Sequence, residues 1–237
     1  MLRNIAFWGS KSFIGGAVMV TFSIPIKATD VVSVTESQTK SSNKQKKPQF
    51  FSFSVPQMSV LFAGSRYKVV SQKVCKSLVN ALAKRGFSFL VGCANGVDRS
   101  FRLAISNSQY HDRCFVACAF PERTKSSYTY GLFASVVVPK NITPKAALHK
   151  RTVWMVKRCS MVVLFPEDPE DGSWGKGSKL IFKASLYNLK PMFIVSSTPP
   201  PRSIHYRVLK SNLFGVVVDG YWVVPHPIRE GGTCDDE

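Results

Sequence analysis

Glycines, an acid and several cations follow the apolar runs of this sequence, and their types and spacing could bind a ligand. In "VGCANGVDRSF", residues 91–101, Gly92, Gly96 and Asp98 come directly after an apolar run. Glycine lets the backbone approach a ligand closely, and the free N–H groups at the start of a helix attract anions. Taken alone, the segment is also typical of a plain strand-to-helix turn in which Asp98 stabilises the helix dipole.

Two other segments repeat this arrangement. The run "SVLFAG" leads into Gly64, Ser65 and Arg66, and the run ending at Phe165 leads into "PEDPEDGSWGKGSKL". An arginine can donate two parallel hydrogen bonds to a phosphate. We therefore predict one shared site for an anionic ligand. The third segment contributes Gly172, Gly175, Lys176, Gly177 and Ser178 to it.

The elements that must position these segments alternate along the chain. Short apolar runs such as "FSFLVG", "CFVACAF", "SMVVLF" and "PMFIVSS" are typical of buried parallel strands. Between them lie stretches with helical spacing, one of which begins with Thr143 as cap and Pro144 in its first turn. The order predicts an α/β fold with a doubly wound, Rossmann-like, mostly parallel sheet. In such a sheet ligands bind at the carboxyl ends of the strands, where all three segments lie.

The C-terminal part of the chain has a different pattern. After "TPPP", the segment "FGVVVDGYWVVP" contains two apolar runs around Asp219–Gly220. An Asp-Gly pair is typical of a two-residue hairpin turn. We therefore predict a small C-terminal antiparallel hairpin with its turn at Asp219–Gly220, followed by a loose end.

The N-terminal part also differs from the rest. Residues 1–29 have basic residues and an apolar stretch of about 14 residues, the outline of a secretory signal that is too short to span a bilayer. A polar, serine-rich, basic stretch typical of disorder follows. We predict a leader or disordered basic tail over 1–57, a Rossmann-like domain over 58–197, and a C-terminal extension with hairpin and loose end over 198–237.

The net charge of the chain favours one class of binding partner. The formal net charge is +18, which favours a polyanionic partner such as nucleic acid. Seven Lys or Arg and two acids precede Met58, so part of the excess belongs to the N-terminal segment.

The six cysteines lie mostly inside apolar runs, and none forms a Cys-x-x-Cys pair. This pattern indicates reduced core thiols of a cytoplasmic protein. Cys114 and Cys118 lie four apart on a predicted strand and share a face, but zinc would need two more ligands. We therefore expect neither a metal nor another cofactor.

The segments "FAGSR", "VGCANGVDRSFRLA" and "HKRTVWMVKRCSMVVLFPEDPEDGSWGKGSKLIFKASLYNLKPMFIV" resemble the DprA-LOG (SLOG) superfamily of Rossmann-like proteins. In motif order the chain is most similar to the DprA-like, DNA-processing and YpsA-type members. The resemblance covers about Met58 to Ser197. It implies a nucleotide-binding domain, since the superfamily includes single-stranded DNA-binding DprA proteins, phosphoribohydrolases and nucleotide sensors.

Carried over position by position, the resemblance assigns nucleotide-binding roles in three loops and on one helix. Arg151 falls where DprA-like members have an Arg-Asn pair, and here Thr152 replaces the Asn. Asp98 is expected to take a ribose hydroxyl or to brace the first loop. The expected binding residues are Gly64, Ser65, Arg66, Gly92, Gly96, Asp98, Arg151, Gly175, Lys176, Gly177 and Ser178.

These residues predict a module that senses or carries a nucleotide or a nucleotide derivative. A homodimer is also considered, and no membrane span is expected. One alternative is a DprA-like single-stranded DNA-binding protein, in which Trp154, Tyr128 and Tyr130 would stack on bases. A second is a nucleoside-monophosphate phosphoribohydrolase. That branch has a catalytic Glu where this chain has Lys179 and Leu180, so the enzyme alternative requires Glu167, Asp168 or Asp171 to reach in from the loop.

Overall fold

A computed structural model of the chain describes residues 58–167, 174–216 and 218–226. The predicted leader or tail, the signal-like segment, the loose C-terminal end and the loop residues Asp168, Asp171 and Gly172 lie outside these ranges. Within them, no helix is both long enough and apolar enough to cross a membrane.

The described chain alternates between strands and helices, as predicted. The strands are β1 Ser59–Gly64, β2 Ser88–Gly92, β3 Cys114–Cys118, β4 Phe133–Val136, β5 Met161–Phe165, β6 Met192–Ile194, β7 Tyr206–Asn212 and β8 Asp219–Pro225. The helices are α1 Gln72–Ala83, α2 Val97–Ser106, α3 Ser126–Thr129, α4 Pro144–Arg158 and α5 Lys176–Tyr187. Short 3-10 helices cover His111–Arg113 and Pro121–Thr124.

All eight strands form one sheet in the order β4-β3-β2-β1-β5-β6-β8-β7. The first six pair in parallel, whereas β8 is antiparallel to β6 and to β7. This confirms the Rossmann-like, mostly parallel sheet with a C-terminal antiparallel hairpin. The chain builds outward from β1 to β4 and then returns to β5 on the other side of β1. A crevice is therefore expected at the carboxyl ends of β1 and β5, where the strand order reverses.

The core consists of two layers, one on each face of the sheet. Every residue of β2, β3 and β5 is buried, which explains why these strands are apolar without alternation. The aromatic side chains of Phe62, Phe89 and Phe101 stack in the layer under α1 and α2. Leu90, Met155 and other apolar residues fill the opposite layer under α4 and α5.

The helix ends agree with the sequence signals. The Thr143 hydroxyl accepts the backbone N–H of Ala146 at 3.4 Å, and Pro144 is the first residue of α4. Gly86, just after α1, has a φ of +82°, in the left-handed region that favours glycine.

The predicted hairpin turn at Asp219–Gly220 was wrong. Both residues lie in β8, where they pair with Asn212 and Ser211 of β7, so the connection between β7 and β8 comes before Asp219. A Cβ atom on Gly220 would lie 2.3 Å from the carbonyl oxygen of Ile194 in β6. This glycine is therefore needed for close approach of β8 to β6, and not for a turn.

Candidate functional site

The first and third glycine segments meet at the crevice between β1 and β5. A Cβ atom on Gly64 would lie 2.1 Å from the Phe165 carbonyl oxygen, so only glycine fits at the end of β1. The Ser65 N–H donates to the same oxygen at 2.9 Å. The Lys68 ammonium donates to the Pro166 carbonyl at 3.1 Å. The loop after β1 is thus attached to the chain that leaves β5.

Helix α5 begins beside this crevice without a side-chain cap. Its cap position is Gly175, and its first turn has no acidic residue. No atom of the described residues lies within 4 Å of the position that a Cβ atom on Gly177 would take, and Lys176 and Gly177 are exposed. The first N–H groups of a helix have no partner within the helix and carry the positive end of its dipole. This end of α5 can therefore accept an anion.

Ser178, in the first turn of α5, is 1% exposed, and its hydroxyl has no hydrogen-bond partner among the described residues. With Ile181 and Ser185 it forms the buried face of the helix. A buried hydroxyl without a partner costs about 1–3 kcal/mol. A ligand oxygen at the start of α5 would remove this cost at Ser178. Ser185 is also unpartnered but lies two turns further along the helix.

Glu167 joins the two sides of the crevice. Its Oε2 accepts a hydrogen bond from the Ser65 hydroxyl at 3.4 Å, and the same oxygen lies 3.4 Å from the Cβ position of Gly175. Of the three loop acids considered from the sequence, Glu167 therefore does reach the site. Its carboxylate occupies a place that an incoming anion would have to share or clear.

Two cations, Arg66 and Lys68, lie in the loop after β1, beside the crevice. Arg66 is exposed, and Lys68 is half-buried. Tyr67 between them is 76% exposed, so this loop presents an aromatic ring and two cations to solvent. Beyond Lys68 lies a cleft of about 360 Å³ whose lining includes Lys210 and Tyr221.

The second glycine segment supports the first. Gly96 has a φ of +65°, and a Cβ atom there would lie 2.4 Å from the Ser65 carbonyl oxygen. The Val97 N–H, at the start of α2, donates to the same oxygen at 3.1 Å. The N-terminal end of α2 is thus in contact with the β1–α1 loop, and Gly96 acts on the crevice through that loop.

Asp98 is buried at the start of α2. Its Oδ2 accepts the Ala94 N–H at 3.2 Å and lies 2.2 Å from where a Cβ of Gly92 would be. Burial raises the pKa of Asp98, while the charges of Arg151 and Arg102 lower it. These contacts are with the segment between β2 and α2 and with Arg151, so the two roles expected for Asp98, a ribose contact and bracing of the first loop, stay predictions.

Arg151 lies in the same buried cluster rather than at the mouth. Its Nη1 donates to the Cys93 sulfur at 3.2 Å, and its Cζ lies 3.3 Å from the Cβ position of Gly92. Its buried Nε has no hydrogen-bond partner among the described residues. The neighbouring Thr152 hydroxyl donates within the helix, to Leu148, at 2.9 Å. The absent side chain of Gly92 gives Asp98 from α2 and Arg151 from α4 room to approach each other.

The sequence interpretation missed three members of this cluster, Arg102, Cys93 and Cys118. Arg102 is 2% exposed, donates from Nε to the Tyr128 carbonyl at 2.9 Å, and also binds the Gly92 carbonyl through Nη1. Burial lowers its pKa and the charge of Asp98 raises it. Its position one turn after Asp98, beside Phe101 on the apolar side of α2, was the available signal.

The Cys93 and Cys118 side chains interact directly. A hydrogen bond from the Cys118 thiol, with a further contribution from the Arg151 charge, lowers the pKa of Cys93 to about 5. The same hydrogen bond raises the pKa of Cys118. Among the described residues, no group of three His, Cys, Asp or Glu side chains could hold a metal ion.

The aromatic residues considered for base stacking have protein contacts. Trp154 packs on Phe115 with ring centroids 5.7 Å apart, and the Arg158 guanidinium lies 4.3 Å from the centroid of the Trp154 ring. The Arg123 guanidinium lies 4.6 Å from the Tyr128 ring centroid. The Tyr130 hydroxyl accepts a hydrogen bond from Arg99 at 2.8 Å.

No protein-family model and no curated protein matches the chain. Solved structures do. DNA processing protein A from Helicobacter pylori, studied for its single-stranded DNA binding mode, is 19% identical with a TM-score of 0.45, over 62% of this chain and 66% of that one. DprA from Streptococcus pneumoniae is 18% identical with a TM-score of 0.44, over 62% of this chain and 51% of that one. TM1055 is 14% identical with a TM-score of 0.40, over 57% and 72%. The fold of this chain is established by its own strand order.

Proposed function

We propose that this protein binds a nucleotide or a nucleotide derivative through its phosphate, at the crevice between β1 and β5, as a sensor or carrier. The observation that carries the proposal is the buried hydroxyl of Ser178 at the N-terminus of α5, where the described residues supply neither a hydrogen-bond partner for it nor a side-chain cap for the helix. The Ser178 hydroxyl and the first N–H groups of α5 would donate to phosphate oxygens.

The remaining residues would act in two groups. Arg66 and Lys176, both exposed, would supply positive charge to the phosphate. Gly64, Gly175 and Gly177 would let the backbone approach it. Gly96 would support the loop that carries Ser65 and Arg66, because it packs against both residues. Gly92, Asp98 and Arg151 would support the segment that leads to Gly96.

A thermal-unfolding screen tests the proposal. The full chain is heated at about 150 mM salt with AMP, ADP-ribose, NAD or a short single-stranded DNA. A ligand at a hundred times its dissociation constant adds about 2.7 kcal/mol to stability. We expect a nucleotide to raise the midpoint, the effect to be lost in Arg66→Ala, and Lys84→Ala to keep it, because the exposed Lys84 lies after α1 at the opposite edge of the sheet. No shift with AMP, ADP-ribose or NAD would refute the proposal.

One observation favours single-stranded DNA as a second candidate ligand. The exposed ring of Tyr67 stands between Arg66 and Lys68 at the mouth of the crevice. Exposed aromatic rings beside cations are typical of surfaces on which bases stack and phosphates pair. Binding of DNA through several phosphates would weaken steeply as salt rises, whereas one nucleotide in a pocket would lose much less affinity. A midpoint shift with DNA alone that disappears at high salt would select this alternative.

The contact of Glu167 with Ser65 keeps the hydrolase alternative open to test. A carboxylate beside the phosphate crevice is the kind of group that general acid or base catalysis needs. Incubation of AMP with the protein would release free adenine if the alternative holds. Release that is lost in Glu167→Gln would show that this side chain carries it, and the absence of adenine would leave binding as the function.

We also propose that the protein is located in the cytoplasm. The five described cysteines are free thiols in buried positions, which suits a reducing compartment.

A further inference from the structure

Cys93 and Cys118 occupy adjacent positions at the carboxyl edge of the sheet. Strands β2 and β3 pair in parallel, with Gly92 opposite Ala117, so the next residue on each chain is a cysteine. Both side chains belong to the apolar layer on the α2 side and are almost fully buried. Neighbouring strands lie roughly 4.8 Å apart. That spacing is within the Cα separation of about 4.4–6.8 Å that a disulfide requires.

The surroundings of the pair favour a reactive thiolate at Cys93. The Arg151 guanidinium donates to its sulfur at 3.2 Å, and the Cys118 thiol faces it. Asp98 is the nearby acid, and its negative charge opposes ionisation of Cys93, while Arg102 adds a second positive charge. The hydrogen bond from the Cys118 thiol and the charge of Arg151 together outweigh the effect of burial. The pKa of Cys93 therefore falls to about 5, which favours the thiolate at neutral pH.

The other described cysteines differ from this pair. Cys75, Cys114 and Cys159 are buried, and burial raises the pKa of each to about 12. They are therefore protonated and poorly nucleophilic at neutral pH. These three cysteines therefore serve as internal controls for the thiol reactivity of Cys93 and Cys118.

We propose that Cys93 and Cys118 form a peroxide-sensitive pair that closes to a disulfide between β2 and β3. The Cys93 thiolate attacks one oxygen of hydrogen peroxide, the S–O bond forms and the O–O bond breaks, which gives a sulfenic acid. The other oxygen leaves as hydroxide and takes up the proton that the Cys93 thiol had released, so that it becomes water. The Cys118 sulfur then attacks the Cys93 sulfur, the S–S bond forms, the S–O bond breaks, and a second water leaves. In total, two thiols are oxidised to one disulfide, and one hydrogen peroxide is reduced to two waters.

The disulfide would act on the buried cluster of Cys93, Asp98 and Arg151. Oxidation removes the negative sulfur that faces Arg151 and leaves that guanidinium with Asp98 as its acidic neighbour. Cys93 directly follows Gly92 and lies three residues before Gly96, which contacts Ser65 in the first loop. The proposal needs no nucleotide and stands independently of the proposed function.

Peptide mass spectrometry on the folded full-length protein tests the inference without a variant. The protein is treated with hydrogen peroxide at pH 7, free thiols are alkylated with iodoacetamide, and the digest is searched for disulfide-linked peptides. We expect a linked pair containing Cys93 and Cys118, with Cys75, Cys114 and Cys159 still alkylated after unfolding. The same treatment of protein unfolded in urea should lose this selectivity, because the strand pairing and the Arg151 contact are then gone.

Variants give a second readout. In Cys118→Ser, the Cys93 sulfenic acid should persist and react with dimedone, whereas Cys159→Ser should form the same disulfide as wild type. The loss of Cys93 thiols in the folded protein should be nearly independent of pH from 6 to 9. The absence of a Cys93–Cys118 link in the folded wild-type protein, or equal oxidation of all described cysteines, would overturn the inference.

Discussion

Gly92 is the residue that lets acidic and basic side chains from two helices meet at the edge of the sheet. A Cβ atom there would lie 2.2 Å from Asp98 Oδ2 and 3.3 Å from Arg151 Cζ. We predict that Gly92→Ala destabilises the protein by about 3 kcal/mol, because it overpacks the site and separates buried charges. Urea unfolding measures the loss.

Gly177→Ala is the matched control for this substitution. The added methyl group meets nothing within 4 Å, and the residue lies in the first turn of α5. The change should leave stability within about 1 kcal/mol of wild type, on the stabilising side, since alanine favours helix over glycine. Similar losses for the two variants would contradict the packing assigned to Gly92.

The ionisation of Cys93 predicts how stability depends on pH. Its pKa falls from 9.0 to about 5 on folding, so the unfolded chain binds more protons between these values. The stabilisation is complete above pH 9 and is lost as the pH falls towards 5. The stability difference between wild type and Cys93→Ser should therefore grow with pH, by about 1 kcal/mol per unit between pH 6 and 8. Urea unfolding at several pH values measures it, and a constant difference would show that Cys93 is not ionised.

At the level of elements, the sequence predicted the strands and helices well because periodicity and capping are local properties. The continuous apolar runs of β2, β3 and β5 and the Thr143–Pro144 start of α4 needed no tertiary information. The role of Gly220 was not predictable in this way. Its close contact with Ile194 depends on which strand β8 joins, and that is a long-range property.

The corrected hairpin gives a prediction at this scale. Gly220→Ala places a methyl group 2.3 Å from the Ile194 carbonyl oxygen and should weaken the pairing of β8 with β6. We expect a loss of about 2 kcal/mol, with faster proteolysis of the C-terminal hairpin. Ser211, the exposed partner of Gly220 on β7, provides the control, and Ser211→Ala should be close to neutral. Equal proteolysis of the two variants would contradict the proposed packing of β8 on β6.

The candidate site was predictable in part from the sequence. Glycines after parallel strands indicated the correct edge of the sheet, because the doubly wound topology brings the carboxyl ends together. The separate roles of these glycine segments could not be predicted from the sequence, because they depend on contacts with side chains from other helices and strands. The first and third segments line the crevice, whereas Gly96 packs behind the first loop and Arg151 is buried beside Cys93.

For the whole molecule, the net charge of +18 raises the question of which phosphate the protein binds. Charge alone attracts any polyanion, and it would make affinity depend steeply on salt. The crevice at β1 and β5 is instead built around one helix end and a few donors. We therefore predict that AMP affinity changes less than tenfold between 50 and 200 mM salt, measured by calorimetry, whereas a change of about a thousandfold would indicate a nucleic-acid backbone.

The two buried, unpartnered serines of α5 give the most direct test of the central claim. Ser178→Ala and Ser185→Ala each remove a hydroxyl that lacks a partner in the described structure, so neither should destabilise the free protein. Calorimetric titration with AMP and with adenosine then compares the two variants with wild type. We predict that Ser178→Ala weakens AMP binding by about tenfold, that Ser185→Ala does not, and that adenosine binds more weakly than AMP to wild type. Equal AMP affinity in the two variants would contradict a phosphate site at the start of α5.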